Sequence, residues 1–189
     1  RYIMQGIAEE LDLNLIVIPN DLQEHSSGQT FSNELVTSEI LKPYLSNDVA
    51  LVTISVVAYR SGALNNIKEL TDLVRSHGAL MVWDASHAVG AVDMQFDRDG
   101  VDLAVGCTYK YGNSGPGSPA WLYVSKRIQS ELQMPIQGWF AQRNQFLMGS
   151  QFDQIEGMRG FQIASPSIIG LLCIDEGFGM IEEASIKQI

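Results

Sequence analysis

Four short runs, "DVALVTISVV" (48–57), "ALMVWD" (79–84), "VDLAVGC" (101–107) and "PAWLYVS" (119–125), are apolar at nearly every position instead of alternating with polar residues. Strands of that kind need cover on both faces, the arrangement of a largely parallel sheet between helices. Helical spacing occurs between and around them: over residues 1–11, over 32–45 up to an interrupting Pro43, and over 64–78. In the last of these Leu64, Ile67, Leu70 and Leu73/Val74 share a face, and Gly78 supplies a stop. Residues 166–184 close as a helix despite three internal glycines, and "LNLIVIP" (13–19) reads as a further short buried strand. The expected fold is α/β, a mostly parallel sheet flanked by helices. The polar stretch 20–33 reads as a surface loop or hairpin, and 137–162 as an irregular excursion of the sort that carries function.

At 189 residues, 46% apolar and 18% charged, the chain can build one sizeable core. Twelve basic against 22 acidic residues give a formal charge of -10, which repels a phosphate backbone and speaks against general nucleic-acid binding. No window approaches the roughly 18 apolar residues of a membrane span, and "RYIMQGIAEELDLN" lacks the layout of a secretory signal. Cys107 and Cys173 lie in apolar stretches without metal-ligand spacing, so they read as buried thiols of a reducing cytoplasm, with neither a disulfide framework nor a zinc site.

In open parallel sheets ligands bind beyond the carboxyl ends of the strands. That rule brings Ser55, Asp84 and the Tyr109-Lys110 pair to one rim. Asp84 after "ALMVW" must be paired if buried, or else caps the turn "ASHAVG"; local sequence does not separate the two. His87, three residues on, is by itself more often a structural histidine. The run "YGNSGPGSP" has neither nucleotide-loop pattern, and its glycines read as a close backbone reversal. Lys110 is left without a structural explanation. Burial favours a neutral amine, a nucleophile suited to carbonyl carbon, and a carboxylate on the neighbouring strand is what a pyridoxal ring nitrogen requires.

With those residues in place, "WDASHAVGAV", "VDLAVGCTYKYGNSGPGSPAWLYV" and "PIQGWF" closely resemble the kynureninase family, pyridoxal-phosphate enzymes of the aspartate-aminotransferase (fold type I) superfamily. The resemblance implies that Lys110 holds the cofactor aldehyde covalently, that Asp84 pairs with the pyridinium nitrogen, and that His87 and Ser55 support the cofactor. It also implies that Tyr109, Trp139 and Ser165 hold the phosphate, the last two across a subunit boundary, so that 137–165 is a homodimer contact. Ser165 is the loosest of these matches.

By the same resemblance the activity is hydrolysis of L-kynurenine or 3-hydroxy-L-kynurenine to anthranilate or 3-hydroxyanthranilate and L-alanine. That reaction is a cytoplasmic step of tryptophan catabolism and NAD biosynthesis, and its substrate is a small amino acid. Catalytic roles fall on Lys110, Tyr109 and Asp84. The family's earlier phosphate loop, its stacking aromatic and its C-terminal small domain are expected to lie outside these residues, which would then be the central part of the large domain. Cysteine desulfurases and class V aminotransferases share the cofactor but typically carry histidine before the lysine, where this chain has Tyr109. A non-catalytic module of the same ancestry is the remaining alternative, and retention of both Asp84 and Lys110 speaks against it.

Overall fold

A computed structural model describes residues 1–19, 22–24, 30–32 and 34–189. Helix α1 (Tyr2–Glu10) buries only Ala8. Residues 13–19, expected as a buried strand, form none: Leu13, Ile16 and Val17 are exposed and Ile18 alone packs against the core. An apolar run with no neighbouring strand to complete its backbone hydrogen bonds gains nothing from extended pairing. Strands β1 (Leu22–Glu24) and β2 (Thr30–Ser32) pair antiparallel; the rest of the 20–33 stretch, expected as a surface loop or hairpin, lies outside the described residues. The helical pattern of 32–45 contracts to α2 (Ser38–Leu41), capped by Thr37, and a 3-10 turn over Lys42–Tyr44. Pro43 accounts for the break, since its ring restricts Lys42 and it has no N–H to give.

The main sheet runs β3 (Leu51–Ser55), β4 (Leu80–Asp84), β5 (Leu103–Gly106), β6 (Trp121–Val124), in chain order across the sheet. The first two pairings are parallel and the third is antiparallel. Parallel neighbours need a crossover, usually a helix. Between β3 and β4 that crossover is α3 (Ile67–Ser76). Between β5 and β6 the glycine-rich 107–120 makes a loop that turns the chain straight back.

Helix α3 is well specified. Asn66 accepts the Glu69 N–H at 3.2 Å as its cap, and Gly78, at φ +79°, ends it in a conformation glycine adopts without a Cβ penalty. Ile67, Leu70 and Val74 are buried as the spacing predicts, while Leu64 lies outside the helix and is exposed. Thr71 shares the buried face because its hydroxyl accepts the Trp83 Nε1–H at 2.9 Å, which frees that indole for full burial in β4.

The fold is the expected α/β one, a mostly parallel sheet flanked by helices, but its two faces are covered unequally. The face of Val52, Ile54, Met81, Trp83 and Ala104 joins α3 in one core. On the other, Val124 is buried but Leu51, Val105 and Leu122 are exposed. Helix α4 (Ile168–Ala184) is likewise apolar with Ile168, Ile169, Leu172 and Met180 open to solvent. Apolar runs therefore marked these segments as strands and helix, but burial on every side does not result within this chain. No described helix is long and apolar enough to cross a membrane.

At the amino-terminal end of the sheet sits Asp102, fully buried. Its carboxylate accepts the Met81 N–H at 2.9 Å, bonds Arg127, and lies 3.7 Å from Arg75 Nε.

Candidate functional site

The register that pairs β3 with β4 makes Ser55 and Asp84 direct neighbours at the carboxyl end, with Val105 of β5 beside Asp84. Both Ser55 and Asp84 are half-buried. Asp84 Oδ1 accepts the Ser86 N–H at 2.9 Å, so the carboxylate does cap a turn; residues 86–91 form a succession of turns and not an α-helix. That bond occupies one oxygen and leaves the carboxylate able to take a further donor.

The turn carries His87 to Lys110. Its Nδ1 lies 3.5 Å from Lys110 Nζ, and its ring stands between Tyr59 (centroids 6.1 Å apart) and Tyr111 (6.4 Å). Burial, and after it the Lys110 charge, lowers the imidazole pKa below the ordinary 6.5; Asp84 opposes this without reversing it. Lys110 is half-buried with its amine 5.7 Å from the centroid of the exposed Tyr109 ring. Among the described residues no carboxylate forms an ion pair with it.

The loop that presents this amine is held by close backbone approach. A Cβ on Gly90 would strike the Tyr111 carbonyl, one on Gly112 would lie 2.5 Å from the Thr108 carbonyl oxygen, and one on Gly177 of α4 would lie 2.5 Å from the Gly112 carbonyl oxygen. Inside the loop the buried Thr108 hydroxyl sits 2.8 Å from both Ser118 Oγ and the Pro119 carbonyl, and Ser118 Oγ reaches the Gly115 carbonyl at 2.9 Å. The glycines thus serve a packed reversal, as their pattern predicts. An apolar hollow of about 300 Å³ between this loop and α4, lined in part by Val89, Trp121 and Phe178, includes neither Asp84 nor Lys110.

Trp139 and Ser165 stand apart. Both are exposed on the 137–162 excursion and its continuation, which is folded on itself where Gly138 meets the backbone of Ile163. Trp139 packs edge-on to Phe140 and Phe146. No hydrogen bond, ion pair or ring contact joins either residue to Asp84, His87, Tyr109 or Lys110 among the described residues. Sequence reasoning did not anticipate Tyr59, Tyr111 or Asn65, whose Nδ2 donates to the Ser55 carbonyl at 2.8 Å. Tyr111 lies in the Tyr-Lys-Tyr motif but is assigned no role of its own by it, and no period marks Tyr59 or Asn65, which are brought in by the bend after β3.

The rim therefore combines an amine free of ion pairing, a carboxylate with acceptor capacity to spare, a neutral-leaning imidazole and a hydroxyl, which suits a carbonyl-bearing, ring-nitrogen cofactor. A family model described as Aminotransferase class-V matches residues 29–189. A kynureninase from Burkholderia mallei (strain SAVP1) is 33% identical over 192 residues, covering all of this chain and 42% of the relative. The fold is that of a cysteine desulfurase from Thermococcus onnurineus NA1, solved in its apo form (TM-score 0.75, 19% identity, 98% of this chain and 43% of the other). It is also that of a cystine C-S lyase variant solved with glycine covalently linked to its PLP cofactor (TM-score 0.76, 16% identity, 97% of this chain and 46% of the other). The chain spans less than half the length of each of these proteins.

Proposed function

The chain belongs to the aminotransferase class-V family, and from that premise we propose that the protein is a kynureninase, cleaving the Cβ–Cγ bond of L-kynurenine or its 3-hydroxy form with water. The γ-carbonyl carbon leaves as the carboxylate of anthranilate or 3-hydroxyanthranilate, and Cβ takes a proton to give L-alanine. Identity of 33% to a kynureninase along the whole chain favours this reaction within the family. The observation that carries the site is the half-buried Lys110 amine, free of carboxylate pairing, at the rim where Ser55 and Asp84 stand side by side.

Pyridoxal phosphate is the cofactor, and the donor set fits it: an amine for the aldehyde, a carboxylate for the ring nitrogen and a loop whose glycines keep bulk away. When bound, it supplies an electron sink for charge developing beside the substrate nitrogen. Lys110 Nζ is the group that would hold the aldehyde, and as a free amine it would take and return protons. The Asp84 carboxylate, with Oδ1 accepting the Ser86 N–H, would hold the ring-nitrogen proton. His87 lies against the site, where burial and then the Lys110 charge lower its pKa and so disfavour the charged imidazolium. Tyr109 offers its hydroxyl to the phosphate or to proton transfer. Trp139 and Ser165, exposed on the excursion, serve the phosphate of a second subunit's site in a homodimer built on 137–165. We place the residues here in the centre of the cofactor-binding large domain of a cytoplasmic enzyme; the two cysteines, expected as buried thiols, are instead half-buried (Cys107) and exposed (Cys173).

A second reading, a cysteine desulfurase, draws on the structural likeness to such enzymes; Tyr109 in place of histidine before the lysine weighs against it. The full-length protein separates the two. Borohydride treatment followed by peptide mapping should place the cofactor on Lys110, and L-kynurenine should yield fluorescent anthranilate. Release of sulfide from cysteine with no anthranilate would replace the reaction, and a label on Lys68 or Lys126 would remove the site.

A further inference from the structure

Residues 57–64 leave β3 as a tight bend. Val57 and Leu64 pair as an antiparallel bridge, Ala58 N–H donates to the Ala63 carbonyl at 2.9 Å, and Gly62 turns the chain at φ +72°. The tip of this bend is gripped by Glu34. Arg60 Nε and Nη2 lie 2.6 and 2.5 Å from Glu34 Oε1, and the Ser61 N–H donates to Oε2 at 3.0 Å. Glu34 is buried. Burial pushes its pKa up, but the bonds from Ser61 and Arg60 outweigh that and hold it below the ordinary 4.5. A second buried side chain, Asn65, ties the same two segments by accepting the Val36 N–H and donating to the Ser55 carbonyl, each at 2.8 Å.

Burying a carboxylate is unfavourable unless its partners are well placed, and a hydrophobic replacement often stabilises as much. What this pair does locally is fix the bend. The bend presents Tyr59, 72% exposed, to the His87 ring at 6.1 Å, while Arg60 Cζ rests 5.6 Å from the Tyr59 centroid. The clamp therefore reaches the imidazole that stands 3.5 Å from Lys110.

We propose that Glu34 and Arg60 are positioning residues: by clamping the bend after β3 they hold Tyr59 against His87, and Tyr59 sets how the imidazole stands beside Lys110. The significance for catalysis rests on Lys110 being the cofactor lysine, whereas the effect on His87 does not. The titratable and charged groups around that imidazole are Lys110 and Tyr111 from the lysine loop, Asp84 from β4 and Tyr59 from the bend.

The test tracks the His87 titration midpoint by NMR of full-length protein labelled at histidine, the resonance being assigned with His87→Gln. Tyr59→Leu should let water reach the ring and raise the midpoint toward about 6.5, whereas Tyr59→Phe should leave it in place. Because Tyr59 is so exposed, neither change threatens the fold. Glu34→Gln and Arg60→Ala should each raise the midpoint, and together no more than either alone, as expected of residues acting as one unit. In the holoenzyme Glu34→Gln should also move the pH midpoint of the cofactor's visible absorption and lower kcat more than it raises KM. An unchanged His87 midpoint in Tyr59→Leu, or additive effects of Glu34→Gln and Arg60→Ala, overturns the proposal. If borohydride labels another lysine while the His87 midpoint still moves, the functional reading fails and the clamp stands.

Discussion

The two ends of the sheet hold the same ingredients, a carboxylate and basic side chains, and use them oppositely. At the amino end Asp102 is fully buried and saturated by Arg127, Arg75 and the Met81 N–H. At the carboxyl end of the same sheet, Asp84 is half-buried with one backbone donor, and Lys110 has an imidazole neighbour but no carboxylate among the described residues. A saturated carboxylate has no capacity left for a ligand, whereas an unsaturated one beside an unpaired amine is what a reactive site needs. Pairing state, more than residue type, distinguishes scaffold from site here.

The sharpest way to break that contrast is Lys110→Ala in the full-length protein. Covalent fixation of the cofactor should disappear and turnover should fall by about 10⁴-fold, the upper range for a positioned proton-transfer group, with the thermal midpoint nearly unchanged. Retained fixation after borohydride would end the assignment. Asp84→Asn comes next. Asparagine keeps an oxygen for Ser86, so the turn should persist while turnover drops by roughly 10² to 10³, the scale of losing one preorganised electrostatic group. Near-normal kinetics would reduce Asp84 to a turn cap.

At the opposite end the loss should appear as stability. Asp102→Ala strands two arginines and the Met81 N–H and should cost about 3 kcal/mol, the lower end for breaking a buried pair because both arginines reach solvent. Denaturant unfolding would show it, with the lysine still labelled; an unchanged midpoint would mean that the clasp contributes nothing. Gly112→Ala should be milder, about 1 to 3 kcal/mol for overpacking, because its Cβ meets the Thr108 carbonyl and the Phe178 ring. Slower labelling of Lys110 should accompany it.

The smallest expected effect is a pH dependence confined to the site end. His87 has a folded pKa below its ordinary 6.5, so protonation favours the unfolded chain; stability is intact above about 6.5 and declines as pH falls through the folded value. Glu34, also lowered, contributes stability above about 4.5 that is lost as pH falls further. Thermal midpoints of His87→Gln should be flatter across the upper window only. A parent protein whose midpoint does not decline below pH 6.5 would contradict the burial of that ring.

Sequence reading located β3 to β6, α1, α3 and α4 because continuous apolar runs and a 3.6-residue period each reflect burial that the chain itself supplies. It misread 13–19, where an apolar run lacks a pairing neighbour, and the full cover of the sheet, which depends on surfaces the pattern cannot count. The Asp84 and Lys110 neighbourhood was legible since strand ends come directly from strand positions. The Glu34 clamp and the Asp102 clasp were not: each joins residues at least 21 positions apart by polar bonds that leave no period. Trp139 and Ser165 came from resemblance; both are exposed, and among the described residues neither contacts Asp84, His87, Tyr109 or Lys110.

Gly177 lies 67 residues after Lys110 (177 − 110), and it is the wedge on which Gly112 rests. A ribosome adding about 5 to 20 residues per second needs roughly 3 to 13 s to bridge that interval. During it β3, β4 and β5 can already pair, since their contacts precede the lysine, yet the loop has no helix against which to settle. In a nascent chain the lysine loop can thus reverse as soon as β6 pairs with β5, whereas its backbone contact with Gly177 waits until α4 emerges.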